Sequence, residues 1–225
     1  MNKDQKLLEE CYQSIYESAL EPEYFGPKKD KEQWLWYLNL LDYKVHEDGS
    51  VSIDGNFSMA SRSSSVIPFN FRSAHTFDCS DNKLTSLKGA PRYAEKFYCH
   101  SNQLTSLEGG PVEVKVVFAC SLNKLTSLEG APVKVGGSFY CDYNKLTSLE
   151  GAPENIGGDF NCQNNKNLTS LKGAPLHTKF RFFSDNFSDE QYREYAKKSA
   201  RDKKLKQKLN KELSPDLNPD LRDFE

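Results

Sequence analysis

Cysteine is the residue type whose spacing in this chain most directly suggests chemistry. Five of the six cysteines recur at intervals of 20, 21, 21 and 21 residues, at Cys79, Cys99, Cys120, Cys141 and Cys162. If they occupy equivalent positions of stacked strands, they lie about 4.8 Å apart, which is wider than the about 3.8 Å between disulfide-bonded Cβ atoms. A single row of thiols also cannot surround a tetrahedral zinc ion. We therefore expect these cysteines, and Cys11 on an N-terminal helix, to be small core residues.

The four histidines do not complete a catalytic site with these thiols. They are scattered through the chain, at His46, His75, His100 and His177. His100 directly follows Cys99, but neighbouring residues of a strand point to opposite faces, so the two cannot form a thiolate–imidazolium pair. The chain has no Ser–His–Asp order, no metal-spaced histidine cluster and no phosphate-binding glycine loop. We expect no enzymatic activity, no cofactor and no metal ion.

A calcium loop is the remaining chemical alternative. Acidic and hydroxyl side chains alternate at Asp48, Ser50, Ser52 and Asp54. An EF-hand loop needs oxygen ligands at positions 1, 3 and 5, Gly at 6 and Glu at 12, and this segment lacks that spacing. Turn pairs at 48–49 and 54–55 flank an alternating Val51 and Ile53, which predicts a hairpin-like segment instead.

The cysteines belong to a longer repeated phrase, Phe-x-Cys-x-x-Asn-x-Leu-Thr-Ser-Leu-x-Gly-Ala-Pro, whose cleanest copy runs from Phe139 to Pro153. Alternating Phe and Cys predict a short strand with one buried face. The Asn follows at the turn, where its amide can satisfy backbone groups, and two leucines point inward on the return path. Gly-Ala-Pro bends the chain, and Gly-Gly pairs at 136–137 and 157–158 mark a second corner. A period near 21 repeated five times predicts a solenoid.

Energetics require the copies to stack. Ordering one coil costs on the order of 20–40 kcal/mol of backbone entropy. Its five or six large apolar side chains return roughly 1.5–3 kcal/mol each when buried, so a lone coil does not fold. Stacking covers both faces of every layer, and the two ends then need caps.

The repeat resembles the leucine-rich repeats, in the frame from Val135 through Phe139, Cys141 and Asn144 to Leu146. Its Leu-Thr-Ser-Leu-Glu-Gly-Ala-Pro wording is similar to short repeats of tailed-bacteriophage and bacterial proteins, and to the 20-residue repeats of type III-secreted effectors. The resemblance implies a curved solenoid with parallel strands on the concave face, extended returns on the convex face and α-helical caps at both ends. It also implies a phage or bacterial protein acting on a host factor.

The ends of the solenoid follow from the flanking sequence. We expect residues 1–45 to form an N-terminal helical cap of two helices, the second over about 31–43; a partner-docking face is the alternative. Residues 46–76 predict a degenerate entry coil, in which Met59 takes the Cys position, Arg62 replaces Asn and Ile67 replaces the second Leu. The solenoid proper then covers 77–187.

The last coil carries one extra residue before Leu168, which should bulge its turn. Either Phe182 or Ser184 takes the sixth inward position. Ser188 and Gln191 form a capping box for a basic C-terminal helix over 188–213. The proline-containing tail 214–225 is expected to be flexible.

Composition points to a soluble protein. The net charge of −2 exerts no global attraction to nucleic acid or an anionic membrane. The N-terminus lacks an apolar signal segment, and the longest apolar run, 34–41, is too short to span a bilayer. We expect a cytoplasmic location, in a bacterial cell or an infected host, and no membrane partner.

Binding is the function that this pattern favours. Outward strand residues line the concave face of such a solenoid, and we predict a protein-binding site at Asp78, Asp81, Tyr98, His100, Leu122, Tyr140, Asp142 and Tyr143. The alternative is that the tyrosines only shield neighbouring strands. A second, electrostatic site for nucleic acid or an acidic partner is formed by the basic helix residues Lys197, Lys198, Arg201, Lys203, Lys204, Lys206 and Lys208. A merely solvated helix explains those same residues.

Overall fold

The computed structural model describes residues 6, 7 and 10 and the continuous segment 41–213. Within that segment the chain forms a parallel-strand β-solenoid of about six turns, followed by a C-terminal helix, Asp189–Leu213. The predicted tail 214–225, Cys11 and nearly all of the predicted N-terminal cap lie outside the described residues. Tyr43, which we assigned to the end of a helix, lies in a strand.

Twelve short strands of the described segment belong to one sheet. In chain order they are β1 (Tyr43–Val45), β2 (Val51–Ile53), β3 (Asn56–Ser58), β4 (Phe71–Asp78), β5 (Tyr93–Tyr98), β6 (Glu113–Ala119), β7 (Lys134–Val135), β8 (Ser138–Tyr140), β9 (Asn155–Ile156), β10 (Phe160–Asn161), β11 (His177–Thr178) and β12 (Phe182–Phe183).

The strands pair in parallel from one coil to the next, apart from the first pair. Strands β1 and β2 form an antiparallel hairpin through a turn at His46–Ser50, as the entry segment predicts. The long strands β4, β5 and β6 then pair in parallel. Beyond β6 the sheet divides into two columns, one through β7, β9 and β11 and one through β8, β10 and β12.

The division after β6 results from the glycine pairs. Register aligns Val114 with Val135 and Val117 with Ser138, so Gly136 and Gly137 replace two residues of a continuous strand. A Cβ atom on Gly137 would overlap the carbonyl oxygen of Val116 in the preceding coil. The backbones therefore approach at this corner more closely than any side chain allows, which confirms the predicted second corner.

A column of stacked aromatic rings forms the centre of the core. Successive ring centroids lie 5.0–5.7 Å apart through Phe57, Phe77, Phe97, Phe118, Phe139, Phe160 and Phe182. Register pairs Phe182 with Phe160, so Ser184 falls in the position that Cys162 occupies one coil earlier. In the entry coil Met59 and Ile67 are both buried, as predicted for the Cys and second Leu positions.

Beside the aromatic column runs a ladder of buried asparagines, one per coil, at Asn82, Asn102, Asn123, Asn144 and Asn165. The side chain of Asn123 is typical. Its Nδ2 donates to the carbonyl oxygens of Cys120, 3.1 Å away, and of Cys99 in the preceding coil, 3.0 Å away. Its Oδ1 accepts from the backbone N–H of Leu104 at 2.9 Å. Each amide thus connects two coils through backbone groups that the strands leave unpaired.

The extra residue of the last coil is accommodated in the turn after Asn165, where the N–H of Leu168 donates to the Asn165 carbonyl at 2.9 Å. Leu168 remains buried, so the insertion does not shift the core register. The C-terminal helix begins as predicted, since Ser188 Oγ accepts from the N–H of Gln191 and Gln191 Oε1 accepts from the N–H of Ser188. Its first half packs on the sixth coil, the one that contains Phe182, through Tyr192 and Ala196.

Candidate interaction surfaces

The five repeat cysteines lie inside the core with free thiols. Burial raises the pKa of each thiol, for Cys162 to about 12. The thiols of Cys79, Cys141 and Cys162 each donate to a carbonyl oxygen of the following strand at 3.3 Å. A buried thiol whose thiolate is disfavoured is a poor nucleophile, as the spacing predicts.

The other polar positions considered for chemistry serve the fold. Asp48 accepts hydrogen bonds from the backbone and the hydroxyl of Ser50, which lowers the pKa of its carboxyl and forms a turn. Within residues 41–213 and the three described N-terminal positions, no three His, Cys, Asp or Glu side chains are grouped so that they could hold a metal ion. In the same part of the chain, no helix has the length and apolar character needed to cross a membrane.

The predicted binding residues occupy three parallel rows, which we call the strand face. The first row lies between the Phe and Cys positions and comprises Asp78, Tyr98, Ala119, Tyr140, Asn161 and Phe183. The second row follows the Cys position and comprises Ser80, His100, Ser121, Asp142 and Gln163. The third row lies at the corner before each ladder asparagine and comprises Asp81, Ser101, Leu122, Tyr143 and Asn164. All eight predicted residues therefore lie on one surface.

Most side chains of the first two rows are half-buried, Ala119 and Ser80 are buried, and several are hydrogen-bonded to one another. Ser121 Oγ donates to Asp142 of the next coil at 2.6 Å, and within one coil Ser80 Oγ donates to Asp78 at 2.6 Å. The rings of Tyr98 and His100 meet edge-on with centroids 6.4 Å apart. Hydrogen bonds of this kind hold polar side chains in one rotamer, so these two rows present a largely preformed surface.

The third row has an unusual backbone conformation that the sequence does not signal. Its five residues have φ between 53° and 57°, in the left-handed region. Asp and Asn tolerate that region, but Leu122 and Tyr143 do not have the short polar side chains that favour it. Both side chains are half-exposed, Leu122 at 51% and Tyr143 at 52%. The two bulkiest side chains of the row are thus held outward at strained positions.

The seven basic residues predicted on the C-terminal helix do not form one site. Lys203 forms an ion pair with Glu154 of the fifth coil, next to the hydrogen bond from the Gly173 N–H to Tyr195 Oη. Lys198 and Lys206 are exposed and do not line the cleft formed with the solenoid. Lys197, Arg201 and Lys204 lie together on one side of the helix, with the exposed Lys208 one turn further on.

These three cations line a cleft between the helix and the sixth coil, which we call the helix cleft. It has a volume of about 630 Å³, and its lining also includes Phe182, Tyr192, Ala196, Ala200, His177, Arg193 and Phe180. Sequence reasoning missed Phe180, whose ring is 67% exposed. A signal existed, because Phe180 stands two residues before the core ring of its coil, where the preceding coil has Gly158.

No protein-family model, curated protein or solved structure matches this chain.

Proposed function

We propose that this protein is a non-catalytic interaction module that binds a protein partner through the strand face. We also propose that its coils are leucine-rich repeats of the short bacterial and phage type, with the strand face on the concave side. The paired inward leucines and the buried asparagine ladder support that repeat type.

One observation carries the proposal more than any other. Leu122 and Tyr143 extend into solvent from left-handed corner positions at which other coils have Asp, Ser or Asn. A bulky residue in that region costs roughly 1–2 kcal/mol relative to the ordinary conformation. Local strain of this kind is concentrated at functional sites, where the side chain has a use outside the fold. We infer that these two side chains are anchors for a partner.

The composition of the strand face favours a protein over a nucleic acid. Its three rows include the carboxylates of Asp78, Asp81 and Asp142 and contain no Lys or Arg, so a phosphate backbone would be repelled. Tyr98, Tyr140 and Tyr143 supply the aromatic area typical of protein interfaces, where Tyr is enriched among the residues that dominate affinity. A partner with basic residues around an apolar centre is the complementary surface.

The mechanism is rigid presentation. Five coils at the strand spacing span roughly 20–25 Å, which accommodates a standard interface of about 800 Å² per partner. The aromatic column, the asparagine ladder and the hydrogen bonds of the first two rows fix the backbone beneath the anchors. Little conformational entropy is then lost on binding, and the module acts by occluding or scaffolding the partner.

The test compares two double variants of the tagged, full-length chain. Leu122→Asn/Tyr143→Asn removes the proposed anchors and places a residue that tolerates the left-handed region at both corners. Val112→Asn/Val133→Asn removes exposed apolar side chains from the return path, where Val133 is 78% exposed. A partner is captured from bacterial lysate, purified and titrated against each protein by calorimetry. We expect it to bind the parent and the Val112→Asn/Val133→Asn control with equal affinity. Its affinity for the Leu122→Asn/Tyr143→Asn anchor variant should be at least tenfold lower.

The stability of the same variants separates binding from folding. In the anchor variant, relief of strain opposes the loss of half-buried apolar area, so its free energy of unfolding should lie within about 1 kcal/mol of the parent. Equal affinity of the partner for the anchor variant and the control would exclude the strand face as the site. A variant that fails to bind because it is unfolded would show up in the denaturation curve.

A further inference from the structure

The helix cleft combines a row of cations with an exposed aromatic ring, and the proposed strand-face function uses neither. Lys197, Arg201 and Lys204 follow one another at four- and three-residue spacing on a helix that rises about 1.5 Å per residue, so the row is about 10 Å long. All three are exposed, and no carboxylate of the described side chains pairs with them. Asp189 also lines the cleft but pairs with Arg193, so the three cations face solvent without an ion-pair partner among the described side chains.

The opposite wall of the cleft belongs to the sixth coil. There Lys179 Nζ lies over one face of the exposed Phe180 ring, 5.5 Å from the ring centroid, so a stacked base would take the other face. The floor between the walls is apolar and includes Phe182, Tyr192 and Ala196. At one end Arg193 is 4.0 Å from Asp189, so the positive potential is weakest there and strongest towards Lys204.

We propose that the helix cleft binds single-stranded nucleic acid. The phosphates contact Lys197, Arg201 and Lys204, and one base stacks on Phe180. A positively charged groove beside an aromatic ring is the arrangement by which proteins bind single strands without reading sequence. A poly-glutamate peptide would also meet the cations, but its side chains carry no ring that could stack on Phe180. A duplex keeps its bases paired and cannot place one on a ring inside a cleft of about 630 Å³.

Binding is measured by fluorescence anisotropy with the full-length protein and four labelled probes. The probes are a 20-nucleotide oligo-uridine RNA, the matching oligo-thymidine DNA, a 20-base-pair DNA duplex and a poly-glutamate peptide of equal charge. We expect both single strands to bind more tightly than the duplex and the peptide. Affinity for the single strands should fall as salt rises, because each phosphate contact releases counterions. The RNA and DNA arms show whether a 2′-hydroxyl contributes.

Two double variants of the helix separate the cleft from general charge. Lys197→Gln/Lys204→Gln removes two cations that line the cleft, and Lys198→Gln/Lys206→Gln removes two that do not. With Z phosphates contacted, the slope of log affinity against log salt is about −0.7Z for single strands, so the cleft variant should lower its magnitude by about 1.4. We expect the control variant to retain most of the affinity. Equal losses in both variants would overturn the assignment to the cleft.

The stacking contact has its own readout. Phe180→Ala should weaken single-strand binding about tenfold, since loss of one stacking platform has an effect of that order. Phe180→Trp should retain binding and show quenched tryptophan fluorescence, relative to the parent, when a single strand is added.

Poly-glutamate binding as tight as that of RNA, unaffected by Phe180→Ala, would overturn the proposal in favour of an acidic protein. Absence of measurable single-strand binding at 50 mM salt would also overturn it. The strand-face anchor variant should bind both strands normally.

Discussion

The ring of Tyr192 lies flat on the ring of Phe182, with centroids 4.1 Å apart and planes inclined by 5°. Phe182 is the ring contributed to the aromatic column by the sixth coil, and Tyr192 comes from the second turn of the C-terminal helix. The helix therefore closes the column with an aromatic ring of the same orientation. A terminal coil without such a cover would expose one face of its apolar layer to water.

The first prediction concerns this closure. Tyr192→Ala should lower the free energy of unfolding by about 3 kcal/mol, in the range for loss of a buried aromatic ring. Tyr192→Phe should change it by less than about 1 kcal/mol, because its hydroxyl makes only a long contact with Thr178, at 3.5 Å. Urea denaturation of both variants provides the comparison. Hydrogen exchange should show the loss of protection in Tyr192→Ala concentrated at the sixth coil; uniform loss would contradict the capping role.

The second prediction concerns the asparagine ladder. Asn123→Ala leaves the buried N–H of Leu104 without its acceptor. It also removes one of the two amide donors to the carbonyls of Cys99 and Cys120, which keep their hydrogen bonds from Asn102 and Asn144. The unsatisfied N–H costs about 1–3 kcal/mol and each lost hydrogen bond to a carbonyl about 0.5–1.5 kcal/mol, so we expect a total loss of about 2–6 kcal/mol. The neighbouring substitution Lys124→Ala changes an exposed side chain and should cost less than about 0.5 kcal/mol. Similar denaturation midpoints for the two variants would show that the ladder contributes little.

The third prediction concerns the corner glycines. In Gly137→Ala the new methyl group would overlap the carbonyl oxygen of Val116. Because that oxygen is a backbone atom, it cannot move away by a change of side-chain rotamer. We expect a loss of at least about 3 kcal/mol, beyond the usual range for overpacking. Gly55→Ala is the matched control, because a Cβ atom there meets nothing within 4 Å. Gly55 has a φ of 149°, a strained value for alanine that Gly137 does not share, so the loss at Gly55 reports backbone conformation alone. A loss below about 1 kcal/mol in Gly137→Ala would remove close coil packing as a cause of instability.

The fourth prediction is that the five repeat thiols are protected in the folded state. A Cys11→Ser variant carries only those five cysteines. All five are buried, so they should react with a thiol reagent at neutral pH only after denaturant is added. Rapid labelling of any of them without denaturant would mean that the Cys row faces solvent, and the strand face would then have to be reassigned.

A fifth prediction follows from the thiol pKa values. Burial raises them above the ordinary value of 9.0, so above that pH the unfolded chain releases protons that the folded chain retains. The stabilisation is complete below about pH 9 and is lost as pH rises towards the folded value, about 12 for Cys162. The free energy of unfolding should fall by up to about 1.4 kcal/mol per thiol for each pH unit. In Cys120→Ala the free energy of unfolding should fall less steeply with pH, because the unfolded chain releases one proton fewer. An unchanged slope would contradict this account.

The interior of the solenoid was largely predictable. A buried position tolerates few residue types, so Phe, Cys, Asn and Leu recur there, and their period identifies them. The corner conformation of Leu122 and Tyr143 was not predictable in the same way, because its hydrogen bonds come from the next coil. Phe180 was missed for a similar reason. Its alternation with Phe182 suggests a buried ring, whereas the helix packs on Phe182 and leaves Phe180 at the rim of the cleft.

The sequence by itself determined the stacking of the coils, the buried rows and the start of the C-terminal helix, because each depends on short-range periodicity or a local cap. Only the tertiary structure decided which basic residues act together. The contacts of Tyr192 and Tyr195 with the fifth and sixth coils set the rotation of the helix about its axis. That rotation directs Lys197 and Lys204 into the cleft and Lys203 onto Glu154. The apolar residues of a helix mark the face that packs, but they do not show which residues of the solenoid will lie opposite.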